Sequence, residues 1–518
     1  MNTFKKKALF AALTGLGVMG MVGSAQAVNL NPDGLGQALI YPYYTVRDGG
    51  DQANAFNSLI SIVNSTSLGK AVKVRVLEGK ASMEVLDFNL YLSPFDVWTA
   101  SFVPMGDGGG LITTDNSCTS PAIPAGGVAF RNYAYTGTNQ DLADQTLNRT
   151  KEGYVELIEM ADIPLLDKNG QSNATLANIT HVNGVPKDCS KIIDNGTRPA
   201  WVDNDLDTGT GGLFGGMTLI NPTEAQGVAF EAVALDGFFS APPLAATFSQ
   251  QAKIWDVGGS VLPNLADVTP KISTVVDGTY AYISQWDASS EADAVSAVLM
   301  NLTAYNEFVL DATTASKTDW VITFPTKRHY YEQPDAATHI RALKNAGSDR
   351  QLFQRTFIAT GACDDVGISM HDREEATVAQ VGDFSPTPPQ GAGTALCWEA
   401  NVVSFGSSAA KAASLFHAEN RVAVGTNNYE NGWASFTFAP NLASTYHYLV
   451  ASGDTDVISF VAGAPVVRSG VAGVQYDGLP MVGFAVQQFN NGTLSNNGLN
   501  VWATYDGRIA HRFSKSIN

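Results

Sequence analysis

Two adjacent segments with strict alternation of apolar and polar residues limit most strongly how this chain can fold. In "AVKVRVLEG", Val72, Val74 and Val76 alternate with Lys73 and Arg75. A period of two gives one apolar face only when the backbone is a β-strand. The next segment, "EVLDFNLYL" (84–92), repeats the period, and "EGKAS" between the two contains a turn glycine. The pair therefore predicts a β-hairpin.

Similar segments occur along the whole chain. With "NSLISIVNST" before the pair and "DVWTASFV" after it, residues 57–103 predict a four-stranded antiparallel meander. At the C-terminus, "MVGFAVQQF", "LNVWATY" and "RIAHRF" alternate again, with turns predicted at "NNG" and "DG". Helical spacing is local, in "SSEADAVSAVLMN" and "AATHIRALKNAG". The predicted fold is mainly β: antiparallel β-sandwich units, immunoglobulin-like or related, with long loops and a few short helices.

The first twenty-seven residues read as a segment that directs export. Residues 1–27 combine three lysines, an apolar core broken by glycine and threonine, and the small-residue site "AQA". The core is too short for a retained membrane anchor, which needs about 18 apolar residues. We expect a cleaved signal peptide, no transmembrane segment in the mature chain, and an extracellular or cell-surface location, with the periplasm as an alternative.

The length of the mature chain allows two or three domains. We predict an N-terminal β-sandwich at 28–160, a polar and turn-rich loop excursion at 161–215, and a larger C-terminal β-rich domain at 216–518.

Four cysteines, an even number, predict disulfides in an exported chain. Three pairings are possible. We favour Cys118 with Cys189 and Cys363 with Cys397, because each pair brackets a stretch rich in turn residues.

Composition narrows the class of partner. The formal net charge is -18, which argues against nucleic acid and anionic lipid surfaces. The 49 glycines and the low share of charged residues, 15%, are typical of extracellular β-proteins.

Several quoted segments also carry a resemblance. "LIYPYYTV", "VLDFNLYLSPFDVWTA", "EGYVELIEM", "HVNGVP", "GGLFGG", "TDWVITFPTKRHYY" and "GLPMVGFAVQQF" together resemble an uncharacterised family of exported proteobacterial cell-surface proteins. The resemblance spans most of the mature chain. It implies a secreted β-rich protein and assigns no catalytic residue.

Motifs for common enzyme classes are missing from the sequence. It contains no Gly-x-Ser-x-Gly, no His-Glu-x-x-His and no Walker A loop. A pair of carboxylates for glycoside hydrolysis needs no motif, so Glu156, Glu159, Glu231 and Glu399 stay open as candidates.

Three aspartates suggest a cation site. Asp203, Asp205 and Asp207 alternate in "WVDNDLDTGTGG", and calcium prefers such carboxylate oxygens. The match to an EF-hand loop is degenerate, because Thr208 stands where that loop needs glycine. The alternatives are a bound calcium ion and an acidic solvated turn.

Aromatic residues suggest a ligand site of another kind. Tyr41, Tyr43 and Tyr44 can stack on sugar rings, although tyrosine is also common inside β-sheets.

The stretch "KTDWVITFPTKRHYYEQ" (317–333) predicts a strand that stops at Pro325, because proline cannot donate to a sheet. Lys327, Arg328 and His329 follow the strand end. They are expected to pair with the chain's own carboxylates, with an anion or substrate site and a subunit contact as the alternatives.

Two function classes follow. The first is a surface-associated structural or adhesive protein without catalytic activity, whose partners are copies of itself or cell-surface components. The second is a calcium-stabilised glycan-binding module or glycan-acting enzyme.

Overall fold

A computed structural model describes residues 27–192, 205–239, 262–287, 292–344, 352–375, 394–439, 447–461, 464–496 and 499–518. Of these described residues, strands account for 51% and helices, with 3-10 turns included, for 10%. The predicted class, mainly β with antiparallel sheets and few short helices, is confirmed. The predicted signal peptide, apart from its last residue, lies outside the described residues.

The first part of the chain contains fifteen strands and one helix among its described residues. In chain order, the strands are β1 (Asn29–Leu30), β2 (Ala38–Thr45), β3 (Asn57–Asn64), β4 (Gly69–Glu78), β5 (Glu84–Leu92), β6 (Val97–Met105), β7 (Gly108–Ile112), β8 (Cys118–Ser120), β9 (Val128–Ala129) and β10 (Glu152–Ile163). Helix α1 (Ala174–Ile179) follows, and then β11 (His181–Val182), β12 (Val185–Pro186), β13 (Leu213–Asn221), β14 (Gln226–Glu231) and β15 (Val233–Asp236).

The second part begins with β16 (Ile272–Asp277), β17 (Tyr280–Gln285), helix α2 (Asp293–Leu299), β18 (Met300–Asn301), β19 (Thr303–Val309), β20 (Lys317–Thr323), β21 (Asp364–Asp372), β22 (Thr394–Leu396), β23 (Ala400–Gly406), β24 (Arg421–Gly425) and β25 (Asn431–Thr437). It ends with β26 (Tyr448–Val450), β27 (Thr455–Val461), β28 (Ala464–Val471), β29 (Gln475–Asp477), β30 (Leu479–Pro480), β31 (Val482–Asn496), β32 (Leu499–Ala510) and β33 (Arg512–Ser514).

Two antiparallel sheets form the N-terminal sandwich. One has the strand order β1-β15-β2-β10-β4-β5-β8 and the other β14-β13-β3-β6-β7-β9. Their facing apolar side chains form one core that contains Tyr41, Val74 and Trp98. Burying such side chains stabilises the sandwich by about 1.5–3 kcal/mol each. The valine face predicted for β4 therefore lies inward, as the alternation indicates.

The four strands predicted within residues 57–103 are present, but the predicted meander was wrong. β4 pairs with β5, whereas β3 pairs with β6 in the opposite sheet. The chain crosses between the sheets after β3 and crosses back after β5. A period of two defines a strand and its apolar face, but not its partner.

The predicted domain boundaries at residues 160/161 and 215/216 fall inside strands. β10 spans the first, and β13 spans the second. β13 pairs with β3, and β15 pairs with β2, so residues after 216 complete both N-terminal sheets.

A second sandwich lies in the C-terminal part. Its sheets have the orders β22-β21-β25-β19-β33 and β24-β23-β20-β31-β32. Trp320 packs between them, with ring centroids 5.1 Å from Phe405 and 5.2 Å from Phe436. The next residue, Val321, belongs instead to the N-terminal core. Strand β20 thus contributes to both cores, which places its end at the junction of the two sandwiches.

Two disulfides reinforce the sheets, in the pairing favoured from the sequence. Cys118 of β8 bonds to Cys189 and closes a separation of 71 residues. Cys363, just before β21, bonds to Cys397, just after the paired strand β22, over 34 residues. Disulfides persist in oxidising environments, so these two indicate an oxidising environment of the kind that exported proteins meet. Among the described residues, no helix has the length and apolar character needed to cross a membrane.

Candidate functional site

The end of β20 is the centre of the first candidate site. After Phe324 the chain passes Pro325 and forms a 3-10 turn at Lys327–Tyr330. The basic residues lie just past the strand end, where the sequence places them. Lys327 lies on one side of the turn with its own partners, and Arg328 and His329 line a cleft.

Lys327 belongs to a closed ion cluster. Its side chain is 2% exposed, and its Nζ donates to Asp364 Oδ2 at 2.8 Å and to the Ala362 carbonyl at 2.7 Å. His447 Nε2 lies 3.3 Å from the other oxygen of Asp364. Burial raises the pKa of Asp364, but the attraction of Lys327 and His447 outweighs it, so the pKa lies below its ordinary value. Lys327 thus has the structural pairing expected from the sequence and is not available to a ligand.

Arg328 and His329 line what we call the basic cleft, a cavity of about 310 Å³. Its lining comes from four separate parts of the chain: the β4–β5 hairpin, the segment 134–139, the β20 turn with the residues after it, and the segment 341–344. The residues that define it are Ser82, Glu84, Arg328, His329, Arg341 and Lys344.

The two arginines of the cleft are held by backbone oxygens. Arg328 Nη1 donates to the Ser82 carbonyl at 3.1 Å. Arg341, 3% exposed, donates through Nε to the Glu332 carbonyl at 3.2 Å. Within the described ranges, neither guanidinium forms a salt bridge with a carboxylate. Burial lowers the pKa of Arg341 from its ordinary value, because a charge is costly to remove from water.

His329 lines the same cleft and is 8% exposed. Its Nε2 has no hydrogen-bond partner in the described part of the protein. Burial lowers the pKa of His329 well below its ordinary value, and the positive charges of Arg328, Arg75, Lys344 and Lys271 lower it further. The imidazole is therefore neutral near pH 7.

Glu399 lies behind the cleft and is buried. Its Oε2 accepts hydrogen bonds from Ser82 Oγ at 2.7 Å and from the Arg328 amide at 3.2 Å. Tyr154 donates to the same Ser82 hydroxyl at 2.7 Å. Burial raises the pKa of Glu399 to about 7, although Lys327, Arg341 and Arg328 act in the opposite direction.

The four glutamates considered as a catalytic pair have different environments. Glu156 binds Arg75, and Glu159 binds Lys70 at 2.6 Å. Glu231 lies on the exposed side of β14, and Glu399 is buried behind the cleft. The partners of the first two are buried cations, so these carboxylates stabilise the sheet.

The three tyrosines proposed to stack on sugars lie inside the N-terminal core, with no exposed surface. The hydroxyl of Tyr41 donates to the Ser61 carbonyl, that of Tyr43 to the Glu152 carboxylate, and that of Tyr44 to the Thr150 carbonyl. β2 is an inner strand of a covered sheet, so these rings are not available to a ligand in solution.

The proposed calcium ligands are only partly described. Asp203 lies outside the described residues. Asp205 is buried, and its Oδ2 accepts from the Thr175 hydroxyl at 2.8 Å. Asp207 is exposed, and its backbone pairs with Asp162. In the part of the chain that the structure describes, no three His, Cys, Asp or Glu residues form a group that could hold a metal ion.

A second candidate site is the side of the six-stranded N-terminal sheet that faces away from the core, which we call the outer face. One cross-strand row on this face consists of Ala229, Thr218, Leu59, Ser101 and Ile112. Leu59 and Ile112 are each 39% exposed.

A second apolar row on the outer face consists of Phe214, Val63 and Val97, and the row of Gly216, Ser61 and Thr99 separates it from the first. A groove of about 700 Å³ crosses the face, and Glu231 and Arg508 are the charged residues among those that line it.

The sequence reasoning missed Ser82, Glu84, Arg341 and Lys344 as members of the cleft. The only local signal was the second basic segment, "HIRALKN", a short distance after "TKRHYY".

No family model, curated protein or solved structure matches this chain. The fold and the two sites define it as a disulfide-containing β-sandwich protein with one charged cleft and one apolar sheet face.

Proposed function

We propose that this protein is an exported, surface-associated structural or adhesive protein that acts by contact and not by catalysis. One observation carries the proposal: the outer face exposes Leu59 and Ile112 in one row and Phe214 and Val97 in another, and the row between them contains only the small residues Gly216, Ser61 and Thr99. Clustered apolar residues on the surface of a soluble protein are typical of interaction sites.

The partner that this face fits best is a second copy of the chain. A protein with a net charge of -18 repels its own copies over most of its surface. The groove of the outer face is lined by one acidic and one basic residue, Glu231 and Arg508, whose charges cancel. Two copies can therefore approach through this face with little repulsion, and its small residues, such as Gly216 and Ala229, permit close packing of two sheets.

The proposed location is the cell surface or the medium, with the periplasm as the alternative. Two disulfides and the export segment predicted at residues 1–27 support a location outside the cytoplasm.

Self-association can be tested with Leu59→Thr combined with Ile112→Thr. Threonine keeps the β-strand preference and removes apolar surface from both positions. We expect wild-type protein to form dimers or larger assemblies in size-exclusion chromatography with light scattering, and the double variant to be monomeric.

Leu165→Thr is the matched control, because Leu165 is also an exposed leucine but lies outside this sheet. It should assemble like wild type. A wild-type protein that stays monomeric at every concentration, or a double variant that assembles normally, would contradict the proposal.

The second candidate function is a glycan-binding module, with calcium as a stabilising ion. Hydroxyl groups of Ser61, Thr99, Ser101 and Thr218 line the same groove and match the hydrogen-bonding needs of a sugar chain. Tight binding on a glycan array by a monomeric protein would favour this function. Thermal melting with and without EDTA tests the calcium component, which predicts a lower melting temperature in EDTA.

A further inference from the structure

We propose that the basic cleft binds a small ligand through an oxyanion group, a carboxylate, phosphate or sulfate. This site is separate from the outer face and from the self-association proposed for it.

The first argument is charge. Arg328, Arg341 and Lys344 bring three cationic side chains to one cavity in a strongly acidic protein. The two guanidinium groups have no carboxylate partner within the described residues, and their observed hydrogen bonds go to backbone carbonyls. Guanidinium presents several N–H donors in a planar fork that matches the oxygens of carboxylate and phosphate.

The second argument is an unsatisfied polar atom. His329 Nε2 is buried without a hydrogen-bond partner among the described residues, while its ring lines the cleft. Leaving such a group unpaired costs about 1–3 kcal/mol. An oxyanion in the cleft supplies the missing acceptor, and its negative charge offsets the surrounding cations.

The third argument is size and surroundings. A volume of about 310 Å³ lies at the lower end of the range for small-molecule pockets. Asn139, Gln333 and Glu84 add neutral and acidic oxygens to the lining. Such groups can accept hydrogen bonds from ligand hydroxyls, so the ligand class is a small acid that also carries hydroxyl groups, or a free inorganic anion.

Isothermal titration calorimetry on the full folded protein tests the site. The probes are sodium glucuronate, inorganic phosphate and sodium sulfate at pH 7 and constant ionic strength, with glucose as the neutral control. We expect saturable binding of at least one anion and none of glucose. Preference for glucuronate indicates a hydroxylated acid as the ligand, and preference for phosphate or sulfate indicates an inorganic anion or an ester of one.

Two variants assign the binding to the cleft. Arg341→Gln and Arg328→Gln should each weaken binding at least tenfold, because each loses a charge-assisted hydrogen bond. Arg328 is only partly buried, so we expect Arg328→Gln to fold. This variant therefore tests the site even if Arg341→Gln does not fold.

The matched control is Arg355→Gln, an exposed arginine whose side chain pairs with Asp365 and which is not among the residues that line the cleft. It should bind like wild type. Absence of binding by all three anions, or equal affinity in Arg328→Gln and wild type, would overturn the proposal. The light-scattering mass of the cleft variants should equal that of wild type, so failure of anion binding is distinct from failure of self-association.

Discussion

The outer face and the region of the β20 turn differ in what their side chains do for the fold. On the outer face, Leu59 and Ile112 are exposed to solvent. The core on the other side of the sheet is formed by other residues of the same strands. Around the turn, Lys327, Asp364 and Glu399 are buried charged or titratable groups that hold separate strands together.

This difference teaches where function can be separated from folding. A contact surface of exposed side chains can be altered with little loss of stability. Substitutions in a cleft lined by buried charges lower the stability of the fold, unless they keep the shape and the hydrogen bonds of the original side chain. Within the turn region, the basic side chains differ in their partners. Lys327 forms an ion pair with Asp364, whereas Arg328 and Arg341 donate hydrogen bonds to backbone carbonyls.

The largest expected effect comes from Lys327→Met. Removing the ammonium leaves Asp364 buried beside His447 without its main cation. Breaking a buried pair from one side costs about 3–5 kcal/mol of unfolding free energy. Urea denaturation of the variant and wild type measures the difference.

Arg355→Met is the matched control for that substitution. Arg355 pairs with Asp365, the neighbour of Asp364, but its side chain is largely exposed. Exposed pairs contribute about 0–1 kcal/mol. The outer-face double variant should also lose less than about 1 kcal/mol. Similar losses in all three proteins would remove the distinction between the two regions.

The next effect concerns pH and Glu399. Its pKa in the folded protein, about 7, lies above the ordinary value of 4.5. Between these values the folded chain retains a proton that the unfolded chain has released, so stability falls as pH rises through this window. From pH 5 to pH 8 this group alone should lower the unfolding free energy by roughly 2–3 kcal/mol.

Glu399→Gln removes that contribution and keeps an oxygen for the Ser82 hydroxyl to donate to. Urea denaturation at both pH values should therefore show a smaller decrease in the variant than in wild type. Equal decreases in the two proteins would show that Glu399 ionises normally in the fold.

Local patterns predicted local structure well. The alternation in β4 and β5 identified both strands and their hairpin, and Pro325 marked the end of β20. Partners far apart in sequence were not predictable, because pairing of β3 with β6 and β13 depends on the whole sandwich. The helix expected in "AATHIRALKNAG" was wrong for its described residues, where Arg341 instead forms an isolated bridge with Phe357.

Other local signals were overridden by context. The first "NNG" (490–492) lies at a bulge within the paired strands β31 and β32, which also continue through "DG". The second "NNG" (496–498) begins where the pairing of β31 with β32 ends, at Asn496 and Leu499, and its last two residues lie outside the described residues. Lys73 and Arg75 alternate as a solvent face would, yet they are buried and pair with Asp87 and Glu84. The alternation of apolar and polar residues shows that the two faces of a strand differ. It does not show whether other parts of the protein cover the polar face.

The candidate cleft could be predicted only in part. Arg328 and His329 were identified because they follow a strand end, but Ser82 and Arg341 reach the cleft through contacts between distant segments. Tyr41 was predicted at a ligand site because of its residue type. Its ring is buried because β2 is an inner strand of its sheet, and the local sequence does not show that position.

The most direct test of the proposed contact function is hydroxyl-radical footprinting of the native protein at low and high concentration. This method reports the solvent exposure of individual side chains. If two copies meet through the outer face, oxidation of Leu59 and Ile112 should decrease at high concentration, while that of Leu165 stays constant. Unchanged oxidation of Leu59 and Ile112 over the whole concentration range would contradict the account.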